Sequence, residues 1–296
     1  MEKLLTQSLI SDEFFSENIG VTPVEWQSID SPFCVTEVVD INSQNWATSE
    51  TQLDSRPTHH TYKTASGRDV HWKAADDIFE PFYEGVAYEL GISAGASFPY
   101  TAPAYIVSSD GSLVLGVVSF ALFSTTIADL SDYGKQILFT NVNKTMFIGE
   151  SVLAVWWRNF DWSNKFDSVA IGCQNGSKNK LSYYPFDHSH IYRGPSGKMD
   201  LIELEKYNIS YNFWQRKYVN FGFAECEPFV EKIENMSDEK IKTSCVGWAT
   251  KIGNVDISNK DNYFKMASEF AGFLLRSKKL LRRELELFFQ GVNFAS

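Results

Sequence analysis

The chain has 296 residues, of which 44% are hydrophobic and 15% aromatic, so it can bury a large core and is not expected to be disordered. Its formal net charge of −10 argues against general nucleic-acid binding, because contacts to phosphates require a basic surface. The sequence contains no apolar run of about 18 residues, so neither a membrane span nor a membrane partner is expected.

Strands dominate the predicted elements up to residue 123. A strand is expected over 33–41. Polar and apolar residues alternate over 56–74 on both sides of a turn that contains Ser66 and Gly67, which predicts a hairpin. A second hairpin, with an Asp-Gly turn, is expected over 102–123.

One helix is predicted between the two hairpins, over residues 76–92. Its apolar side chains recur at helical spacing from Phe79 to Leu90. Gly91 is expected to end the helix, because glycine is the residue that most often follows the last helical turn.

Beyond residue 123 the predicted elements are mainly helical. A helix over 148–160 leads to Asp161, a third hairpin spans Ser168–Pro185, and a long helix covers 259–290 with Gly272 as a candidate break. Strands first and helices second predict an α+β fold with two lobes. We expect an N-terminal extension over 1–50 that packs on the N-lobe, a strand-rich N-lobe over 51–123 and a helical C-lobe over 124–296.

A lysine at the end of the first hairpin is followed by two glutamates on the next predicted helix. Lys73 ends the second strand of that hairpin, on the face opposite Trp72. The next helix carries Glu80 and Glu84 one turn apart, on the same face. A lysine held by a helical glutamate is how kinases direct a positive charge toward the α- and β-phosphates of ATP.

Asp161 follows a predicted buried helix and precedes a predicted strand by six or seven residues. A kinase catalytic loop has this arrangement, with an aspartate that accepts the hydroxyl proton and a later amide or acid that holds metal. Asn164 and Asp167 are the candidates for the later residue. The alternative is that Asp161 or Asn164 only caps a turn.

The stretch YYPFDHSHIY places Asp187 and two histidines, His188 and His190, at the end of the third hairpin. Magnesium prefers carboxylate oxygens to imidazole, so one interpretation makes Asp187 a metal ligand and the histidines its neighbours. A second makes the histidines a zinc or iron site, together with the pair His59-His60. A third is a strand end whose polar groups bond to the backbone.

Several of these stretches together resemble the HipA-like kinases, in particular their compact forms. The resemblance covers about residues 55–290 and implies a two-lobed, protein-kinase-like fold. It rests on RPTHHTYKTASGRDVHWK, FYEGVAYELGI, SVLAVWWRNFDWSN, LSYYPFDHSH and LLRSKKLLRRELELF. It implies that Asp161 is the catalytic base, that Asn159 fills the first position of the family's Asn-x-Asp turn, and that Asp187 binds magnesium.

The function implied is ATP- and Mg-dependent phosphoryl transfer to a protein serine or threonine. In this interpretation Lys73 holds ATP, and Asn164 or Asp167 is a second metal ligand. Glu84 is expected to hold Lys73, with Glu80 as the alternative. The sequence has no G-x-G-x-x-G loop, so backbone amides of the turn with Ser66 and Gly67 are expected to contact phosphate. Adenine is expected against the backbone from about Phe120 to Phe123, which includes Ala121.

Two positions depart from the family pattern. Trp162 stands where the family has arginine after the catalytic aspartate, and Phe166 stands where it has asparagine. The departures leave a second hypothesis open, a catalytically impaired pseudokinase or a nucleotide-binding interaction module. A histidine-ligated metallohydrolase is the third hypothesis.

The expected partners are a protein substrate, which could be the protein itself, and an antitoxin or other regulatory protein. The resemblance implies a bacterial protein of a toxin–antitoxin kind. The first residues carry acids where a secretion signal needs an apolar run, and the four scattered cysteines suit a reducing compartment. A cytoplasmic location is therefore expected.

Overall fold

The structure is a computed structural model. It describes residues 25–26, 33–49, 58–65, 67, 69–96, 100–120, 144–159, 169–174, 181–185, 191–192, 209, 213, 216 and 219–291.

The larger sheet has six strands in the order β2-β6-β7-β5-β4-β3. Its two central hairpins are those predicted from the alternating residues and turn signals, and both are antiparallel. The strands are β2 (Val39–Asp40), β3 (Ala47–Thr48), β4 (His59–Lys63), β5 (Asp69–Ala74), β6 (Thr101–Val107) and β7 (Leu113–Phe120).

The turns of the two hairpins depend on glycine. Gly67 has a φ of +77° in the first turn and Gly111 has a φ of +82° in the second, a region that side-chain-bearing residues rarely adopt. The strand predicted over 33–41 is shorter than expected and consists of Val39–Asp40. A turn precedes it, in which the Glu37 N–H donates to the Cys34 carbonyl.

The two faces of the larger sheet differ in polarity. Along β5, Val70 and Trp72 are buried in an apolar cluster, whereas the alternate residues belong to the opposite face. Apolar side chains from residues 33–46 pack on the apolar face. The buried members of this cluster are Phe33, Val39, Ile41, Val70, Trp72, Ala102, Ala104 and Val118.

A second sheet has the order β1-β8-β9. Its strands are β1 (Glu25–Trp26), β8 (Val169–Gln174) and β9 (Leu181–Pro185). The antiparallel pair β8 and β9 is the third predicted hairpin, and β1 pairs with β8 in parallel. An early segment of the chain thus joins a hairpin more than a hundred residues away, a pairing that requires tertiary structure.

Five helices lie in the described part of the chain, and most follow the sheets. They are α1 (Glu80–Ser93), α2 (Lys144–Trp156), α3 (Phe223–Asn235), α4 (Asp238–Val255) and α5 (Lys260–Phe289), with a 3-10 turn at Ile257–Asn259 before α5. No helix among the described residues is long and apolar enough to cross a bilayer.

Two helix ends and one expected helix break differ from the sequence-based expectation. Helix α1 continues through the buried Gly91, and Gly95, with a φ of +81°, follows its end instead. Helix α5 runs unbroken through Gly272, and α2 already ends at Trp156. A glycine inside a helix costs only about 1 kcal/mol, which the packing of a long buried face outweighs.

The α+β class and the order of strands followed by helices are confirmed. A mainly antiparallel sheet, a helix packed on it and a following set of helices are consistent with a two-lobed, kinase-like fold. The exact domain boundaries stay predictions.

The packing of α1 on α4 gives a testable consequence. A methyl group built on Gly85 would lie 2.6 Å from Cδ2 of Trp248, whereas one built on Gly247 meets no atom within 4 Å. Gly85→Ala is therefore expected to lower the free energy of unfolding by about 1–3 kcal/mol. The control Gly247→Ala, also in a helix, is expected to raise it by up to about 1 kcal/mol. Urea unfolding of both variants checks this, and equal effects would contradict the packing described.

Candidate active site

A buried ion pair joins β5 to α1. Nζ of Lys73 lies 2.5 Å from Oε1 of Glu80, whose side chain is 2% exposed. The other carboxylate oxygen, Oε2, accepts the backbone N–H of Asp76 at 2.9 Å. Because both oxygens of Glu80 have partners, the carboxylate is fixed in place and fixes the ammonium group with it.

The pairing corrects the assignment of Glu84 to this role. Glu80 begins α1 and is therefore nearest to the end of β5, whereas Glu84 lies one turn, about 6 Å, farther along the helix. Glu84 is itself buried in α1. Pro81 is the sequence signal for the correct choice, because proline favours the first helical positions and so places Glu80 at the start of the helix.

Lys73 lies on the polar face of the larger sheet. Its register partner in β4 is His59, and the ring of His59 packs edge to face on that of His71 with centroids 5.3 Å apart. Thr61 pairs with His71 on the same face, and Ser119 of β7 is the partner of His71 on the other side. The partner of the lysine in β7 is apolar, so the polar groups of this face lie mainly on β4 and β5, where they can form hydrogen bonds with a polar ligand.

Helix α1 is held against α4 by a second glutamate. Glu89 accepts hydrogen bonds from Lys240, from the Ser244 hydroxyl at 2.8 Å and from Nε1 of Trp248 at 3.1 Å. Burial raises the pKa of the Glu89 carboxyl, but the bonds from Lys240 and Ser244 outweigh burial and leave the pKa below its usual value. These contacts fix the helix that presents Glu80.

The lowered pKa of Glu89 predicts how stability depends on pH. A carboxyl with a lower pKa in the folded state contributes stability above its unfolded pKa of about 4.3 and loses it as pH falls through the folded pKa. Glu89→Gln should therefore be less stable than wild type at pH 7, and the difference should shrink below about pH 4. Urea unfolding across this range measures it. The exposed Glu231 of α3 offers the control, and an equal loss in Glu231→Gln would contradict the assignment.

The turn that follows α2, residues 157–159, pairs with a distant segment of the chain. Asn159 makes an antiparallel bridge to Ile191, and the N–H of Tyr192 donates to the carbonyl of Trp157 at 3.0 Å. Asn159 stands two residues before Asp161, and Ile191 stands four residues after Asp187. The bridge therefore joins two residues that are close in sequence to these aspartates.

One aromatic ring packs on both α1 and the segment that pairs with the turn at residues 157–159. The ring centroid of Phe270 lies 5.3 Å from that of Tyr83 in α1 and 5.3 Å from that of Tyr192. Phe270 is fully buried in the main core. The helix that presents Glu80 and the segment that contains Tyr192 therefore pack on the same side chain of α5.

Several predicted site residues fall outside the described part of the chain. These are Asp161, Asn164, Asp167, Asp187, Ser66 and Ala121, together with His188 and His190. Gly67 lies in the turn between β4 and β5, and Phe120 is the last residue of β7, where it pairs with Val70.

The described residues give no support to a metal site built from histidines. Among them, no group of three or more His, Cys, Asp or Glu side chains is placed to hold a metal ion. His59 and His60 point to opposite faces of the sheet, as neighbours in a strand do, and His60 stacks on Trp72 at 5.6 Å. The two histidines therefore do not converge on one ion.

No family model matches the sequence, and no curated protein matches it either. Among solved structures, the chain is similar to the crystal structure of a proinflammatory kinase of Helicobacter pylori, CtkA. The similarity covers 84% of this chain and 99% of that one, with a TM-score of 0.47 and 11% identity. At this identity the similarity does not extend to function, and the fold class rests on the strands and helices described above.

Proposed function

We propose that the protein is an ATP- and Mg-dependent kinase of the HipA-like type, which transfers the γ-phosphoryl group to a serine or threonine of a protein. The observation that carries the proposal is the buried ion pair between Lys73 and Glu80. It joins a strand to the next helix, as the lysine–glutamate pair of protein kinases does.

The burial of this pair favours a functional role. Moving two charges out of water is costly, and a buried pair often adds nothing to stability relative to apolar residues of the same size. An ammonium group held at a fixed position beside a polar sheet face is, however, a suitable ligand for phosphate oxygens. Phosphoryl transfer depends mainly on such positioning and charge neutralisation.

The remaining roles are assigned from the sequence. Asp161 accepts the proton of the substrate hydroxyl, and Asp187 binds Mg²⁺ with Asn164 or Asp167. The bridge between Asn159 and Ile191 supports a shared location for the two aspartates, since it joins the segments that adjoin them. The proposed nucleotide contacts are backbone amides around Ser66 and Gly67 for phosphate and backbone near Phe120 and Ala121 for adenine.

A second candidate is a nucleotide-binding pseudokinase or interaction module. Trp162 and Phe166, which replace the arginine and asparagine of the family pattern, favour it. The same nucleotide site serves both candidates, and they differ in turnover. The proposed partners are a protein substrate, with the chain itself as one candidate, and an antitoxin or regulatory protein.

Incubation with γ-labelled ATP and Mg²⁺, alone and with a cell lysate, tests the proposal. Label on the protein itself or on a lysate protein is the expected result, and it should disappear when Mg²⁺ is chelated. Tight binding of Mg-ATP with no label on any protein would favour the pseudokinase instead. An absence of both binding and label would refute the two nucleotide-dependent candidates together.

A further inference from the structure

Helix α2 ends at a residue with unusual backbone geometry. Arg158 has a φ of +54°, where helix ends normally carry glycine or asparagine. Its N–H donates to the Val155 carbonyl at 3.3 Å, and the N–H of Asn159 donates to the Ala154 carbonyl at 2.8 Å. These two bonds form a Schellman-type helix end, here around a residue that has to accept a strained backbone.

The side chain of Arg158 links this turn to the end of α2 and to α5. Nη1 donates to the Val155 carbonyl at 3.1 Å, and Nη2 donates to Oε1 of Glu284 in α5 at 2.6 Å. The two side chains are 9% and 19% exposed. The other oxygen of Glu284, Oε2, is buried and has no hydrogen-bond partner among the described residues. A buried pair with an unsatisfied oxygen is a weak source of stability, so a positioning role is indicated.

The turn around Arg158 contacts both chain segments of the proposed site. The Tyr192 N–H donates to the carbonyls of Trp157 and Arg158, at 3.0 and 3.3 Å. Asn159, the next residue, forms the bridge to Ile191. A change in the backbone of Arg158 would therefore disturb the pairing of residues 157–159 with Ile191 and Tyr192.

We propose that Arg158 and Glu284 are positioning residues, whose ion pair fixes the left-handed turn and thereby orients the segment that bears Asp161. The inference rests on the proposed kinase function. The pair acts through the backbone of residues 157–159 and makes α5 part of the scaffold of the active site.

The test compares three variants with wild type in steady-state phosphate transfer and in amide hydrogen exchange at Asn159 and Tyr192. Arg158→Gly accepts the left-handed backbone but cannot hold it. Glu284→Gln removes the charge at nearly constant size. Both should lower kcat by on the order of 10- to 100-fold with KM for ATP unchanged, and both should speed exchange at the two amides. Arg158→Lys keeps the positive charge and should recover part of kcat.

Arg282→Gln is the matched control, because it breaks another ion pair of α5, with Glu234 and Glu227, away from this turn. It should change neither kcat nor exchange. An unchanged kcat in Arg158→Gly and Glu284→Gln, or a change confined to KM for ATP, would overturn the positioning role. If wild type transfers no phosphate, the kinase proposal fails, and the positioning of a catalytic segment fails with it. Exchange then tests only whether the ion pair fixes the turn: faster exchange in these two variants but not in the control shows that it does, and equal exchange overturns it.

Discussion

Lys73→Met is expected to lower the rate of phosphate transfer by on the order of 10²- to 10³-fold, the effect typical of removing one preorganised electrostatic group. Glu80 holds the ammonium of Lys73 at 2.5 Å, so its charge is in place before a nucleotide arrives. Methionine keeps much of the volume and removes the charge. The initial rate with labelled ATP at saturating Mg²⁺ measures the loss.

Lys63→Met is the matched control in the same hairpin. The side chain of Lys63 is 49% exposed and lies 3.8 Å from Asp69, so its loss should leave transfer nearly unchanged. Lys73→Met also leaves the Glu80 carboxylate buried without its cation, at a cost of about 3–5 kcal/mol in stability. The double variant Lys73→Met/Glu80→Met removes that cost and should be folded and inactive. Transfer at the wild-type rate in the double variant would show that the pair has no role in catalysis.

Asp161→Asn is expected to abolish phosphate transfer and to leave binding of Mg-ATP nearly intact. In the proposed mechanism Asp161 contacts the incoming hydroxyl, so its charge matters mainly for turnover. Asp187→Asn should weaken binding of Mg-ATP as well, because Asp187 would coordinate the ion that neutralises the phosphates. Transfer assays and calorimetric titration of each variant with Mg-ATP separate the two roles.

Asn164→Ala and Asp167→Ala extend the same experiment to the second metal ligand. Only the true ligand should raise the concentration of Mg²⁺ that half-maximal transfer requires. An Asp161→Asn variant that loses nucleotide binding as strongly as Asp187→Asn would contradict the division of roles.

Local sequence signals predicted the elements that depend on neighbouring residues. The hairpin turns at Gly67 and Gly111 and the strand that ends at Lys73 follow from alternation and from glycine at turn positions. The predicted end of α1 at Gly91 was wrong. Glycine often follows the last helical turn, but here Gly91 is buried and the helix continues to Ser93. Short-range patterns thus predict an element better than they predict where it ends.

The candidate site was predictable only in part. Lys73 was found because its place at a strand end before a helix is a local feature. Periodicity does not fix where a helix begins, so the sequence favoured Glu84 but did not decide between it and Glu80. The contact of Glu89 with Lys240 joins residues 151 positions apart, and no local pattern reports it. The left-handed turn at Arg158 could not be predicted from the sequence either, since arginine carries no signal for a positive φ.

The binding of Mg-ATP tests the central claim most directly, because both nucleotide-dependent candidates require it. Calorimetric titration of wild type and of the Lys73→Met/Glu80→Met variant compares the two dissociation constants at equal Mg²⁺. We predict one bound nucleotide per chain in wild type and at least about tenfold weaker binding in the variant, equivalent to about 1.4 kcal/mol. Equal affinities, or no binding by wild type, would contradict the account.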